Sequence, residues 1–274
     1  MKIKQAAGAL GAFVEGVSIV DAATSLDVFD QLHAALVQHQ VLFLRDQRIA
    51  PEVLERFARQ FGEVMPHLAY PTVQGTERVQ VLESTAQSPS KIEVWHSDMT
   101  FTPEPPSITL LHGRVIPVVG GDTLWASAQA AFAALSAPMQ RFLDGLQAEH
   151  DFRHGFAESL AEPGGAERLA AAIEVNPPVQ HPLVRTHPQT GLKSIYVNRL
   201  FTTRVVGLTP LESQRLLEFL YQHVVMDEFT VRLAWEPDTI AIWDNRSTQH
   251  KPVNDFGEQH RLLHRLTIVG DSPC

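Results

Sequence analysis

The sequence predicts an α+β protein in which a β-sandwich or jelly roll is surrounded by helices. Three observations favour this fold class: most predicted strands are short and separated by turns, predicted helices cluster in the first half and around residues 205–225, and no regular β-α-β alternation is present. The sequence shows no internal repeat and no linker that would divide its 274 residues. We therefore expect one domain spanning residues 1–274.

The first third of the chain contains two clear helix signals and one clear strand signal. Residues 8–20 carry glycines between apolar residues, which indicates short strands and turns. Apolar residues at near-helical spacing predict a helix over residues 26–38, and the apolar run at 41–44 is typical of a buried strand. A second helix is expected over 51–61, because Pro51 suits a helix start and Gly62 a helix stop.

Residues 62–92 are irregular in pattern, with one predicted strand at 79–82. The polar stretch 84–90 directly precedes the tripeptide His96-Ser97-Asp98, so it forms either part of a substrate lid or an ordinary solvated loop. The rest of the chain predicts a hairpin, three helices and a series of strands. The helices are expected at 128–146, 166–173 and 211–225, the hairpin at 181–186 with 193–198, and the other strands at 107–115, 124–127, 229–235, 239–244 and 262–269.

Composition narrows the class of function. The formal net charge is -9, and no run of Lys or Arg stands out, which disfavours nucleic acid and anionic membranes as partners. Cys274 is the only cysteine, so an intrachain disulfide and a cysteine-based zinc site are excluded. The start of the sequence lacks a signal-peptide core, and no stretch approaches the ~20 apolar residues of a membrane span. A cytoplasmic location is the expectation.

The tripeptide His96-Ser97-Asp98 is the only place where one of the 13 histidines is followed two residues later by an acid. On an extended segment these two side chains point to the same side, so both can reach one metal ion. Two histidines and one carboxylate form the facial triad of non-haem Fe(II) sites, which leaves three positions open. Alone the tripeptide is weak evidence, because a distant second histidine must complete the site.

That histidine is supplied by the segment Trp243-Asp244-Asn245-Arg246-Ser247-Thr248-Gln249-His250, which begins on an apolar strand and is expected to end in a polar loop. Considered alone, His250 is more typical of an ordinary histidine in a surface loop than of a metal ligand. Arg261 and Arg265 follow, and on a strand they share one face with residue 263. Two guanidiniums on an apolar strand require anions, either as salt-bridge partners within the protein or as bound ligands.

Five motifs together resemble the Fe(II)/2-oxoglutarate-dependent dioxygenase family that includes taurine, alkylsulfate and aryloxyalkanoate dioxygenases, and taurine dioxygenase most of all. The motifs occur in family order from about residue 11 to 273, and are Trp95-His96-Ser97-Asp98-Met99-Thr100-Phe101, Gly120-Gly121-Asp122-Thr123-Leu124-Trp125, His181-Pro182-Leu183-Val184-Arg185-Thr186-His187-Pro188, the Trp243 to His250 segment, and His264-Arg265. The resemblance implies a double-stranded β-helix (jelly roll) core with flanking helices.

The resemblance also implies roles for individual residues. Fe(II) would be bound by His96, Asp98 and His250, and the far carboxylate of 2-oxoglutarate by Thr123 and Arg261. O2 would be the other co-substrate. The anionic head of a small substrate would pair with Arg265, assisted by His67. The remaining pocket positions of the family correspond to Tyr70, Met99, Phe156 and Phe201.

The implied reaction is hydroxylation of a small organosulfonate, taurine first, with release of sulfite and an aldehyde as 2-oxoglutarate becomes succinate. A homo-oligomer, dimer or tetramer, is expected. Where taurine dioxygenases carry Asn to recognise the amine, this chain has Ile92, which puts taurine recognition in doubt. The alternatives are the same chemistry on an alkyl sulfate ester or aryloxyalkanoate, a non-catalytic binding protein, and a hydrolytic zinc enzyme.

Overall fold

The computed structural model describes residues 1–66 and 70–274. The strands are β1 (Lys2–Gln5), β2 (Ala12–Glu15), β3 (Val41–Leu44), β4 (Gln80–Ser84), β5 (Ile108–Val115), β6 (Thr123–Ser127), β7 (Gln147–His150), β8 (Val179–Pro182), β9 (Val184–Thr186), β10 (Lys193–Ile195), β11 (Thr202–Val205), β12 (Thr230–Leu233), β13 (Ile240–Asp244), β14 (Thr248–Pro252) and β15 (Arg261–Ile268). The helices are α1 (Ile19–Ala22), α2 (Leu26–His39), α3 (Pro51–Ala58), α4 (Ala128–Ala134), α5 (Ala137–Leu143), α6 (Phe152–Gly155), α7 (Ala157–Ala161), α8 (Gly165–Val175) and α9 (Pro210–Val224).

Two facing sheets form the centre of the protein. The larger has seven strands in the order β1-β2-β3-β13-β5-β15-β4, and the smaller has three in the order β12-β6-β14. Trp125 on β6 packs edge-on against Trp243 on β13, with ring centroids 5.6 Å apart, and also contacts Phe43. Aromatic pairs of this geometry bury large apolar areas. They therefore hold the two sheets face to face.

Strand β3 shows why its sequence is a continuous apolar run. Side chains alternate between the two faces of a sheet, and both faces of β3 are buried. Leu42 and Leu44 pack with the helices that cover the outer face, whereas Val41 and Phe43 pack into the core between the sheets. The outer-face core includes Leu36 of α2 and Phe57 of α3, so these two helices shield the larger sheet from solvent.

Helices, a hairpin and loops cover the outer face of the smaller sheet. Helices α4 and α9 pack there with residues of the β9-β10 hairpin, for example Leu220 against a core containing Leu183 and Ile195. Helix α9 begins with a capping box in which Thr209 and Glu212 satisfy each other's backbone N–H groups. Beside this layer, α6, α7 and α8 surround an aromatic cluster made by Phe101, Phe152, Phe156, Phe201 and their apolar neighbours.

Most of the predicted elements are confirmed: the helices at 26–38, 166–173 and 211–225, the hairpin, and the strands at 41–44, 79–82, 107–115, 124–127, 239–244 and 262–269. The predicted helix at 51–61 ends earlier, at Ala58. The strand predicted at 229–235 is shorter, since β12 spans Thr230–Leu233 and follows a 3-10 turn at Asp227–Phe229.

Two predictions are wrong. The helix expected over 128–146 is broken into α4 and α5, because Ser136 caps α5 and Pro138 lies in its first turn, where no intrahelical N–H is needed. His250 lies on strand β14 rather than in a polar loop. Polar side chains occupy both faces of this strand, Thr248 and His250 on one and Gln249 and Lys251 on the other, so no apolar alternation marked it as a strand.

Candidate active site

His96 and His250 lie directly opposite each other. The His96 N–H donates to the His250 carbonyl at 3.0 Å, and the His250 N–H donates back to the His96 carbonyl at 2.7 Å. Their Nε2 atoms lie 4.0 and 3.9 Å from Asp98 Oδ1. The three ligand atoms are all within 4.8 Å of one another and are buried. A metal ion with bonds of about 2.0–2.2 Å fits among such atoms.

The two imidazoles are neutral and suited to bind a cation. His96 Nδ1 donates to the Val94 carbonyl at 2.9 Å, because a carbonyl oxygen only accepts, and this leaves Nε2 with a lone pair toward Asp98. Burial lowers the pKa of His96, and burial together with the neighbouring His96 ring lowers the pKa of His250 to about 3. Neither ring therefore needs to lose a proton at neutral pH before binding metal.

Asp98 is held at both its carboxylate and its backbone. Its Oδ2 accepts from Thr109 Oγ1 at 2.8 Å, and its Oδ1 lies 3.0 Å from Arg265 Nη2. Asn245 accepts from the Asp98 N–H at 2.7 Å and donates to the Asp98 carbonyl at 3.0 Å. Burial opposes ionisation, but the Arg265 charge and the two histidines hold the pKa of Asp98 well below its usual range. The carboxylate is therefore charged when a metal binds.

Arg261, a buried cation on strand β15, lines the cavity that also contains His96, Asp98 and His250. Arg261 donates from Nε to the Gly121 carbonyl at 3.2 Å, and its guanidinium lies over the Phe256 ring. Burial lowers the pKa of Arg261 to about 10, and within residues 1–66 and 70–274 no carboxylate forms a salt bridge with it. A Cβ at Gly121, whose φ is +74°, would meet the Arg261 side chain at 3.3 Å. Glycine therefore suits both this positive φ and the close approach of Arg261.

Thr123 lines the same cavity from strand β6. Its Oγ1 accepts a hydrogen bond from Trp235 Nε1 at 3.0 Å. Because an indole N–H only donates, the Thr123 hydroxyl hydrogen stays available for another acceptor. A buried guanidinium and a hydroxyl donor facing one cavity suit a carboxylate ligand.

The cavity has a volume of about 440 Å³ and contains all three candidate metal ligands together with Thr123, Arg261 and Arg265. Tyr70 also lines it, with its ring centroid 6.0 Å from the Arg265 guanidinium carbon, and burial raises the pKa of Tyr70. Phe156 belongs to the cavity wall. Met99 and Phe201 pack in the aromatic cluster, where the Phe201 ring lies edge-on to His96 with centroids 6.4 Å apart. His67 lies outside the described residues.

The sequence alone assigns no role to three residues that support this site. Thr109 and Trp235 each act through one hydrogen bond, to residues 11 and 112 positions away, and Asn245 acts through two to the backbone of Asp98, 147 positions away. Asn245 falls within the Trp243 to His250 motif, which marks its importance but not its task. The other two are ordinary strand or core residues by pattern.

The sequence profile described as "Taurine catabolism dioxygenase TauD, TfdA family" matches residues 2–267. The chain belongs to the TauD, TfdA family. It is 36% identical to an alkylsulfatase of Acinetobacter baylyi, over 99% of this chain and 86% of that protein. It is 35% identical to an alpha-ketoglutarate-dependent sulfate ester dioxygenase of Pseudomonas putida, over 100% of this chain and 91% of that protein.

Two solved structures have a similar fold. A taurine dioxygenase from Burkholderia xenovorans superposes with a TM-score of 0.84 at 35% identity, covering 99% of this chain and 90% of that one. AAD-2, solved in complex with Mn(II) and N-oxalylglycine, superposes with a TM-score of 0.83 at 26% identity, covering 99% of this chain and 98% of that one. Membership makes this chain a 2-oxoglutarate-dependent dioxygenase that uses Fe(II) and O2. A hydrolytic zinc enzyme and a non-catalytic binding protein are not supported.

In the part of the chain that the structure describes, no helix is both long enough and apolar enough to cross a membrane.

Proposed function

We propose that this dioxygenase hydroxylates a small organosulfur anion, a sulfonate such as taurine or an alkyl sulfate ester, at the carbon next to the sulfur group or its ester oxygen. The observation that carries the proposal is that one cavity contains the His96, Asp98 and His250 cluster and two buried guanidiniums. One dicarboxylate co-substrate and one anionic substrate account for the two guanidiniums. A sulfonate would then give sulfite and an aldehyde, and a sulfate ester would give sulfate and an aldehyde.

In this proposal each residue has one task. His96, Asp98 and His250 hold Fe(II), while Thr123 and Arg261 hold the far carboxylate of 2-oxoglutarate. Bound Fe(II) and 2-oxoglutarate supply the oxidising chemistry, in which O2 is consumed as 2-oxoglutarate loses CO2 and becomes succinate. Arg265 binds the substrate's anionic head with Tyr70 beside it, and His67 is proposed to assist. Met99, Phe156 and Phe201 shape the pocket around the reacting carbon, either directly or through the aromatic cluster.

The cavity wall supports an apolar substrate tail more than an ammonium group. Ile92 lines the cavity and is half-buried, and Phe156, Leu169 and Leu200 line it as well. Glu93 is exposed and accepts from Asn254 at 3.0 Å, so it does not take the place of a polar residue at 92. An alkyl sulfate ester or an amine-free sulfonate therefore fits this wall better than taurine does.

The test is an anaerobic titration of the Fe(II) and 2-oxoglutarate complex with taurine, propanesulfonate, hexyl sulfate and an aryloxyacetate. Substrate binding near the iron should shift the visible metal-to-ligand absorption band, and turnover should release sulfite or sulfate. We expect propanesulfonate and hexyl sulfate to shift the band at lower concentrations than taurine. A shift with the aryloxyacetate alone would contradict an organosulfur substrate.

Further features belong to the same proposal. We propose that the two facing sheets form a double-stranded β-helix (jelly roll) and that residues 1–274 make up a single catalytic domain. A homo-oligomer, dimer or tetramer, in the cytoplasm remains our prediction. Size-exclusion chromatography with light scattering measures the oligomeric state directly.

A further inference from the structure

We infer that His181 is a positioning residue for the metal centre, and that it fixes the turn on which Asp98 lies. This inference rests on the proposed Fe(II) site at His96, Asp98 and His250. His181 opens the motif His181-Pro182-Leu183-Val184-Arg185-Thr186-His187-Pro188, to which the reaction itself assigns no task. Its side chain is buried, does not line the cavity and is not one of the proposed metal or substrate ligands.

The contact between His181 and the turn is a forked hydrogen bond. His181 Nε2 lies 3.0 Å from the Thr100 carbonyl and 3.0 Å from the Thr102 carbonyl. Because both partners only accept, the ring proton must be on Nε2. The two carbonyls follow Asp98 by two and four residues in the same turn. One side-chain donor therefore serves two carbonyls of this turn.

The turn needs such support because its backbone is strained. Met99, between Asp98 and Thr100, has a φ of 49°, in the left-handed region that non-glycine residues seldom occupy. Strained residues persist only where the surrounding structure over-determines them. Asn245 holds the Asp98 end of the turn through both backbone groups, and His181 holds the other end. Releasing one end allows the turn to relax and the Asp98 carboxylate to move.

His181 itself is rigidly placed. It is paired with Ala148 between β8 and β7, and its ring packs against His150 and Tyr196 with centroids 5.3 and 5.9 Å away. His150 also reaches the turn, with Nδ1 2.9 Å from Thr100 Oγ1. The β7-β8 pair thus contacts the turn at two histidines. His181 binds the backbone carbonyls of the turn, and His150 contacts the Thr100 hydroxyl.

The second histidine of the motif supports the site through Asp244. His187 Nδ1 accepts from the Gln189 and Thr190 N–H groups at 3.2 Å each, so its Nε2 carries the proton and donates to Asp244 at 2.9 Å. Asp244 immediately precedes Asn245, whose side chain holds the Asp98 backbone. The motif therefore supports the Asp98 turn directly through His181, and indirectly through His187, Asp244 and Asn245.

The experiment compares His181→Phe, which keeps a ring of similar size but has no donor, with His181→Gln, whose amide nitrogen restores N–H donors near the Nε2 position. The matched control is His223→Phe, because His223 Nε2 also hydrogen-bonds a carbonyl, that of Ala131 at 2.8 Å, on the half-buried face of α9. The readouts are the Mn(II) dissociation constant by anaerobic calorimetry, the Fe(II) and 2-oxoglutarate absorption band, and the Tm of the metal-free protein.

Removing a residue that orients a metal ligand typically costs 10–100-fold in metal affinity. We expect His181→Phe to weaken Mn(II) binding by at least tenfold and to alter the absorption band. His181→Gln should restore the Mn(II) affinity to within about threefold of wild type. His223→Phe should lower the Tm without changing the Mn(II) affinity. Wild-type affinity in a folded His181→Phe protein would overturn the inference. If that variant does not fold, His181→Asn replaces it, since its shorter amide does not reach both carbonyls; equal affinities for the Asn and Gln variants would overturn the inference.

The same measurements separate this inference from the proposed function. A wild-type protein that binds no Mn(II) would refute the metal site itself. A wild-type protein that binds Mn(II), beside a His181→Phe variant that binds it equally well, would refute only the role of His181.

Discussion

Arg265 Nη2 lies 3.0 Å from Asp98 Oδ1, the same oxygen that faces the Nε2 atoms of His96 and His250. Both side chains are buried, so neither charge is compensated by bulk water. The cation proposed to bind the substrate's head group therefore also stabilises a proposed metal ligand. Substrate binding and metal binding are expected to be linked through this pair.

The first prediction concerns Arg265→Ala. Truncating one partner of a buried charge pair costs about 2–5 kcal/mol. We expect kcat/KM to fall by at least ~30-fold for propanesulfonate and hexyl sulfate alike, since each tenfold corresponds to about 1.4 kcal/mol. Steady-state assays of aldehyde release, which both substrates give, measure this. Arg265→Lys keeps the positive charge but lacks the planar guanidinium that forms paired hydrogen bonds, so it should recover part of the lost kcat/KM. A loss confined to one substrate would contradict a shared anion site.

The second prediction concerns Arg261→Ala. A buried guanidinium without a salt bridge in the described chain is available to the far carboxylate of 2-oxoglutarate. The same cost of about 2–5 kcal/mol predicts a rise of well over tenfold in the KM for 2-oxoglutarate, with metal affinity little changed. The control is Arg232→Ala, because Arg232 is half exposed and pairs with Asp122 at 2.6 Å beside Thr123. Unchanged 2-oxoglutarate affinity in Arg261→Ala would show that the carboxylate binds elsewhere.

The third prediction concerns Trp235→Phe, which keeps an aromatic ring in the core but removes the N–H bonded to Thr123 Oγ1. Without this donor the Thr123 hydroxyl is free to rotate away from 2-oxoglutarate. One neutral hydrogen bond contributes about 0.5–1.5 kcal/mol, so the KM for 2-oxoglutarate should rise by roughly 2- to 10-fold. The substrate KM should remain constant. If Trp235→Phe and Thr123→Val showed additive effects on 2-oxoglutarate, the two residues would not act as a pair.

The convergence of His96, Asp98 and His250 could be predicted because the chemistry of these residue types is local and specific. A histidine and an acid two residues apart, with a histidine and two arginines at the spacings of a known family, restrict the possible chemistry strongly. The alternation on β15 likewise follows from strand geometry, and the structure confirms that Arg261 and Arg265 are both buried on the strand. Such features depend on residue type and short spacing, which a sequence displays.

The supporting contacts could not be predicted because they join distant and ordinary residues. His181 meets Thr100 across 81 positions, and Trp235 meets Thr123 across 112. Neither pairing follows from periodicity, since each depends on how the sheets and turns pack. Strand β14 was missed for a related reason: its inward positions carry polar side chains, so the period-2 apolar signal of a strand is lost.

The fourth prediction concerns stability against acid. Burial lowers the pKa of His112 to about 3, with contributions from the Arg114 and His264 charges. The unfolded chain therefore binds more protons than the folded one between about pH 3 and 6.5, and stability falls as the pH falls through this window. Each such histidine changes the free energy of unfolding by up to about 1.4 kcal/mol per pH unit. Urea unfolding of metal-free protein at pH 4.5, 5.5 and 6.5 should show this slope, and His112→Gln should reduce it. An unchanged slope in the variant would exclude His112 as a source.

The fifth prediction is that residue 92 tunes the choice between taurine and amine-free sulfonates. Apart from Asp98, the carboxylates lining the described part of the cavity are Glu83, which is bonded by His260 at 2.7 Å, and the exposed Glu158. An ammonium group thus gains no buried partner beyond the metal site, and Ile92 offers it no hydrogen bond. An apolar wall discriminates weakly between substrates, whereas a site that hydrogen-bonds a group discriminates strongly for it.

We therefore expect Ile92→Asn to raise the ratio of kcat/KM for taurine over propanesulfonate by roughly tenfold, about one hydrogen bond to a charged group. The control is Leu200→Asn, which places the same amide elsewhere on the half-buried cavity wall and should leave the ratio within about threefold of wild type. Because both substrates carry the same sulfonate, a ratio isolates the amine contact from the Arg265 contact. A wild-type enzyme already strict for taurine, with a ratio that Ile92→Asn does not move, would place amine recognition on another residue.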